Sequence, residues 1–217
     1  MIRTCSRALA LAFLTVLLPS CGGPAPSDAS TAATGDAVDH AAHDAMSTVL
    51  EADVPALAEM SLYQVDTPWM NQRGEAVQLS GMAGRIQLLA MTYTSCEVSC
   101  PVIVADLKRI EATLAEDGLQ AGFVLLSLDP DRDSPATLAT FAEKGHLSDN
   151  WTLLTAPADD VREMAALLGV RYRKMQNGDF AHTNLISVLD AEGVLVHQQK
   201  GLGPDLTKGT VAFLWGM

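Results

Sequence analysis

Basic side chains are scarce in this 217-residue chain: 14 Lys and Arg stand against 26 Asp and Glu, giving a formal charge of −12. Such a balance argues against nucleic acid as a partner and against a polybasic grip on anionic lipid. Long apolar runs are also lacking. After the first 20 residues no stretch is long enough to cross a bilayer. No internal period appears, which removes repeat architectures. Cysteine is rare, at four copies, and two of these fall in the N-terminal segment. A single pair, Cys96 and Cys100, is left for the body of the chain. A disulfide across so short a loop removes little unfolded-state entropy, so a purely structural bridge there stabilises weakly.

What is present begins with an export signal. Residues 1–20 carry Arg3 and Arg7, then the apolar stretch Ala8 to Leu18, then Pro19-Ser20 before Cys21. The tetrad Leu18-Pro19-Ser20-Cys21 resembles a bacterial lipobox, which implies that Cys5 is discarded with the signal and that Cys21 is acylated at the mature N-terminus. About 197 residues then remain, with a charge of about −14, enough for one domain and a tether. Residues 21–59 form that tether: its first part is rich in Ala, Ser, Asp, Pro and Gly and lacks aromatic residues. It contains His40-Ala-Ala-His43-Asp-Ala-Met46, imidazole and thioether groups of the kind copper takes, which we read as low-complexity sequence rather than a site.

Residues 60–217 read as one domain. Leu62 to Val65 and Ala76 to Leu79 are short strand candidates joined through the turn-rich Pro68 to Gly74, a leading hairpin. Ile86 to Thr92 is a near-continuous apolar run, the mark of a strand buried on both faces. Pro101 opens a helix whose apolar face is Val102, Val104, Ala105, Leu107, Ile110 and Leu114, ended near Gly118. Gly122 to Leu128 is the next buried strand, completing a βαβ unit. Asp129-Pro-Asp-Arg-Asp-Ser-Pro135 has the look of a calcium loop at its start. Ser134 stands where that loop needs Gly, however, and Thr140 where it needs an acid, so the segment closes a strand and caps a helix instead. Trp151 to Thr155 is a further strand and Asp160 to Leu168 a further helix. Thr183 to Leu189, the turn at Asp190 to Gly193, Val194 to Gln198 and a helix from about Pro204 close the chain. The order βαβ then ββα defines an α/β, thioredoxin-like fold with an N-terminal β-hairpin extension and insertions.

The two thiols fall at the mouth of the first strand-to-helix turn, one helical turn apart. They can close a disulfide or converge on a soft metal ion, and the adjacent helix N-terminus favours the thiolate that both reactions need. His182, in the polar loop Asp179-Phe-Ala-His182-Thr, enters the terminal hairpin, and in this topology that loop approaches the cysteine loop. His146, His197 and the Trp69-Met70 pair read as helix-end, strand and packing residues.

Four ordered motifs now carry a resemblance: Tyr93-Thr-Ser-Cys96-x-x-x-Cys100-Pro101, Ser127-Leu-Asp-Pro-Asp-Arg-Asp-Ser-Pro135, Trp151-Thr-Leu-Leu-Thr155 and Phe180-Ala-His182-Thr183. Together they resemble the Sco/SenC family of copper-binding assembly factors for cytochrome c oxidase, over about 60 to 205. The resemblance implies that Cys96, Cys100 and His182 bind copper, as Cu(I) or Cu(II). It further implies that copper is passed to the copper-bearing subunit of cytochrome c oxidase, with other copper chaperones or thiol-disulfide reductases as partners. The setting would be the bacterial envelope, anchored to the membrane and facing the periplasm or cell exterior.

Two thiolates and an imidazole suit Cu(I), the imidazole helps accommodate Cu(II), and structural zinc would require a fourth ligand for which no candidate stands out. Where many family members have Pro after the first cysteine this chain has Glu97, whose carboxylate is expected to raise the thiol pKa values. The alternative is a thiol-disulfide reductase that keeps an acceptor's cysteines reduced, needing the redox-active pair Cys96 and Cys100 but not His182. A thiol peroxidase is a weaker reading, because the residues before Cys96, Met91-Thr-Tyr-Thr-Ser95, lack the peroxiredoxin pattern.

Overall fold

The structure, a computed structural model, describes residues 60–217. The expected signal, Cys21 and the expected tether with His40, His43 and Met46 lie outside the described residues.

The chain enters through a 3₁₀ turn, Leu62–Gln64, where a strand was expected. Ser61 is the reason: its Oγ accepts from Tyr63 N–H at 3.2 Å, offering the backbone a local partner in place of a neighbouring strand. The leading hairpin follows a few residues later, with β1 at Trp69–Asn71 and β2 at Ala76–Val77. Asn71 builds its turn, since Oδ1 accepts from Arg73 N–H at 2.9 Å and Glu75 N–H at 3.0 Å, and Gly74 takes the positive φ of 77° that the reversal needs.

A 3₁₀ turn at Leu79–Met82 leads to β3, Gln87–Thr92, then helix α1, Ser99–Glu116, and β4, Gly122–Ser127. Helix α2 spans Pro135–Lys144, strand β5 Trp151–Thr155 and helix α3 Ala158–Leu167. Two short strands, β6 at Tyr172–Lys174 and β7 at Phe180–His182, pair only with each other. The chain closes with β8, Leu185–Leu189, β9, Leu195–Lys200, and helix α4, Pro204–Trp215.

The main sheet has the order β2-β1-β5-β4-β3-β8-β9. β3, β4 and β5 are parallel at its centre; β1 and β8 flank them antiparallel. Every residue of β3 and β4 is buried, as the unbroken apolar runs demand when helices cover both faces. The period of two then sorts each strand. Leu88 and Ala90 face α1, α2 and α4, in a core with Ile103, Leu107, Ile110, Leu138 and Val211. Leu89 and Met91 face the opposite side, with Leu126, Val161, Met164 and Trp69. Ile103, Leu107 and Ile110 are fully buried, each contributing about 1.5–3 kcal/mol of burial. Among the described residues no helix is long and apolar enough to cross a membrane.

Candidate metal and thiol site

β3 ends at Thr92 and points its C-terminus at the site. The chain turns there, with Cys96 N–H donating to Tyr93 O at 3.2 Å, and α1 starts at Ser99 rather than at Pro101. Pro101 still falls in the first turn, where its missing N–H costs nothing. Val98, the N-cap residue, gives no side-chain cap. Cys96 takes over part of that task, its Sγ accepting from Cys100 N–H at 3.3 Å. The same residue therefore closes the turn after β3 through its backbone and starts the helix through its thiol.

The two cysteines are unlike. Both are unbridged, but Cys96 is 9% exposed and Cys100 0%. Burial pushes the Cys96 thiol up, yet hydrogen bonds from Cys100, from Ser99 and from the backbone N–H groups of Cys100 and Val98 outweigh it and bring the thiol down to about 7. Burial, together with the hydrogen bond and charge of Cys96, holds the Cys100 thiol far above the ordinary thiol range. Glu97 is exposed and is not among the groups that set either thiol, so the upward pull expected from its carboxylate does not govern this site.

His182 is not in a loop, as its polar surroundings implied, but is the last residue of β7, opposite Tyr172 in the β6–β7 ladder. The Asn177-Gly178 pair at the hairpin's turn, with Gly178 at φ 86°, is the signal that marks it in the sequence. The hairpin swings the ring over the cysteine loop. His182 Nε2 lies 3.9 Å from Cys100 Sγ, and one donor atom from each of Cys96, Cys100 and His182 falls within 4.8 Å of the others. Among the described residues this is the one cluster of three or more such side chains. Burial lowers the pKa of His182, partly opposed by the hydrogen bond to Thr183 O at 3.3 Å. A carbonyl only accepts, so that bond requires the proton on Nδ1 and leaves the Nε2 lone pair facing the sulfurs.

Three residues brace this arrangement, none of them assigned a role by sequence reasoning. Tyr93 packs edge-on to Phe180 and to His182, with centroids 5.2 and 6.0 Å away. Asp133, 0% exposed, accepts from Thr94 N–H at 3.1 Å, from Thr94 Oγ1 at 2.5 Å and from Ser127 Oγ at 2.6 Å. Arg132 pairs with Asp129 and donates to Gly178 O at 2.6 Å, holding the turn of the histidine hairpin. Ser134 caps α2, accepting from Thr137 N–H at 3.2 Å. The aspartate-rich segment is thus the strand-closing, helix-capping loop expected, and it also ties the cysteine loop to the histidine hairpin. The alternating acids were its trace in the sequence. His146 and His197 lie elsewhere: His146 follows the end of α2, and His197 stacks on Phe213 at 4.6 Å.

The fold and site define a thioredoxin-like domain with two thiols and an imidazole converging at the end of its first strand. The chain belongs to the SCO1/SenC family, whose model matches residues 59–205. It is 32% identical over 107 residues to the SCO1 protein homolog of Bacillus subtilis (strain 168), covering 48% of this chain and 55% of that one. The aligned segment is thus little more than half the length of this curated relative. Copper-bound ScoI of Arabidopsis thaliana matches the fold with a TM-score of 0.64 at 19% identity, over 70% of this chain and 97% of that one. A SCO1/SenC family lipoprotein from Bacillus anthracis str. Ames matches with a TM-score of 0.64 at 23% identity, over 69% and 90%.

Proposed function

We propose that this protein is an exported, lipid-anchored copper chaperone. It takes one copper ion as cargo through Cys96, Cys100 and His182 and delivers it to the copper-bearing subunit of cytochrome c oxidase. The observation that carries the reading is the convergence of the three donor atoms within 4.8 Å. Two soft sulfurs and one neutral imidazole fit Cu(I), and the nitrogen tolerates Cu(II). Three donors leave a position through which an acceptor's ligand can enter, whereas structural zinc would need that position filled by protein. In the same reading residues 1–20 are the signal, Cys21 carries the lipid, and 21–59 hold the domain off the membrane on the periplasmic or outer face. The SCO1/SenC lipoprotein of Bacillus anthracis supports the anchor, and copper-bound Arabidopsis ScoI supports the cargo.

A second reading, a thiol-disulfide reductase that prepares the acceptor's cysteines, is favoured by the asymmetry of the pair. A partly accessible thiol at about 7 is suited to attack and a buried one to resolve the mixed disulfide. An anaerobic Cu(I) titration against a competing chelator, with His182→Ala alongside, separates the two. One tightly held copper per chain, weakened at least about tenfold by the substitution (about 1.4 kcal/mol), supports the chaperone. Weak binding indifferent to His182, with disulfide exchange intact, gives the reductase reading the site.

A further inference from the structure

Ser99, the residue before the second cysteine, stands beside two of the three donors. Its Oγ lies 3.5 Å from Cys96 Sγ and 3.3 Å from His182 Nε2. Its single hydroxyl proton can serve only one of the neighbouring acceptors at a time. Because Nδ1 of His182 is committed to Thr183 O, the Nε2 lone pair is free to accept that proton while the site holds no metal.

We infer that Ser99 is a positioning and selectivity residue for the copper site, biasing it toward the cuprous ion. The inference rests on the copper-binding reading above. When a metal takes the Nε2 lone pair, the Ser99 proton is released from the ring, and Cys96 Sγ, 3.5 Å away, is placed to accept it. The thiolate then receives two hydrogen bonds, from Ser99 Oγ and from Cys100 N–H. A hydrogen bond to a ligating sulfur withdraws electron density from it, and Cu(II) depends on that density more than Cu(I) does. Ser99 therefore weakens the cupric state more than the cuprous one. Before loading, the same hydroxyl divides its proton between Cys96 Sγ and Nε2, and the bond to Nε2 keeps the ring turned toward the sulfurs. Among the described residues, no other side-chain hydroxyl bonds both a sulfur and the imidazole.

The test uses the full chain with Ser99→Ala and Ser99→Thr, each loaded with one copper and titrated with redox mediators. The thiolate-to-Cu(II) charge-transfer absorption is followed, which reports only sulfur-bound copper and so is blind to His40 and His43. The expected result is that Ser99→Ala favours Cu(II) over Cu(I) by about tenfold relative to the wild type, a fall in potential of ~59 mV for one electron. Ser99→Thr, which keeps the hydroxyl, should retain the wild-type potential. An unchanged potential in Ser99→Ala overturns the inference, as does a Thr variant that shifts with the Ala variant, since the hydroxyl is then not responsible. If the wild type takes up no sulfur-bound copper, the proposed function fails and this inference with it. Stoichiometric copper with an unmoved potential sinks the inference alone.

Discussion

Tyr93 and Phe180, 87 positions apart in sequence, are joined twice by hydrogen bonds. The phenol donates to Phe180 O at 3.4 Å and accepts from Phe180 N–H at 3.2 Å. One side chain at the end of β3 thereby fixes the backbone of the strand that carries His182, two residues away. The cysteines and the histidine are delivered by separate elements, and this clasp sets their distance.

Tyr93→Phe keeps the edge-on packing against Phe180 and deletes both hydrogen bonds. The half-buried Phe180 N–H loses its partner, so the substitution should cost about 1–2 kcal/mol of stability. It should also loosen His182, weaken Cu(I) binding and, because the phenol also bonds the Cys96 sulfur, lower the reactivity of Cys96. Urea denaturation and chelator competition measure the first two effects, and alkylation rate the third. Full Cu(I) affinity in a destabilised variant would show that the histidine is held by other means.

The thiols predict a pH dependence of two signs. Cys96 ionises at about 7 in the fold, against 9.0 unperturbed. Between those values the folded state has lost a proton that the unfolded state keeps, so stability should rise from pH 7 to pH 9, and the contribution is lost as pH falls through 7. Cys100 is raised, so above pH 9 the unfolded chain ionises where the fold cannot, and stability should fall again. Denaturation of the reduced, copper-free protein across this range, compared with Cys96→Ser, isolates the first limb. Iodoacetamide should label Cys96 with a midpoint near 7 and spare Cys100 until the chain unfolds.

How far the sequence could be read follows from how local each signal is. β3 and β4 were legible because strands covered on both faces are almost wholly apolar, and α2 because Ser134 and Pro135 cap it within three residues. The pair Cys96 and Cys100 shares one short loop, so its chemistry was visible at once. Leu62 to Val65 was misread because a short, largely apolar run says nothing of the Ser61 hydroxyl that draws the backbone into a turn. The β6–β7 hairpin escaped because three-residue strands with charged Arg173 and Lys174 show no core face. The bracing by Tyr93, Asp133 and Arg132 spans from 39 to 87 positions, and only the fold brings such partners together.

Asp133 is buried with three donors and, among the described residues, no cation bonded to it. Asp133→Ala leaves Thr94 N–H and two hydroxyls without an acceptor and should cost about 3 kcal/mol or more. Asp133→Asn keeps one acceptor oxygen but aims an amide at donors, so about 1–2 kcal/mol is expected. Both should weaken copper binding, because Thr94 begins the loop that carries Cys96. Urea midpoints and Cu(I) competition on the two variants check the order; equal losses would mean that the one acceptor oxygen kept by Asn contributes nothing.

Glu97 gives the sharpest contrast between a charge read in sequence and one placed in space. Beside the thiols in the chain, its carboxylate was expected to raise their pKa values. In the fold it is exposed, and the Cys96 thiol is brought to about 7 by Cys100, Ser99 and backbone N–H groups acting against burial. A solvated charge is screened by water and salt, whereas short hydrogen bonds are not. Glu97→Gln should therefore move the Cys96 labelling midpoint by less than ~0.3 pH units and Cu(I) affinity by less than about threefold at ordinary ionic strength. Ser99→Ala in the same assay should raise the midpoint, because it removes a hydrogen bond to the sulfur. If the Glu97 variant shifts further than the Ser99 variant, long-range charge rather than hydrogen bonding sets the thiol, and the role given to Ser99 weakens with it.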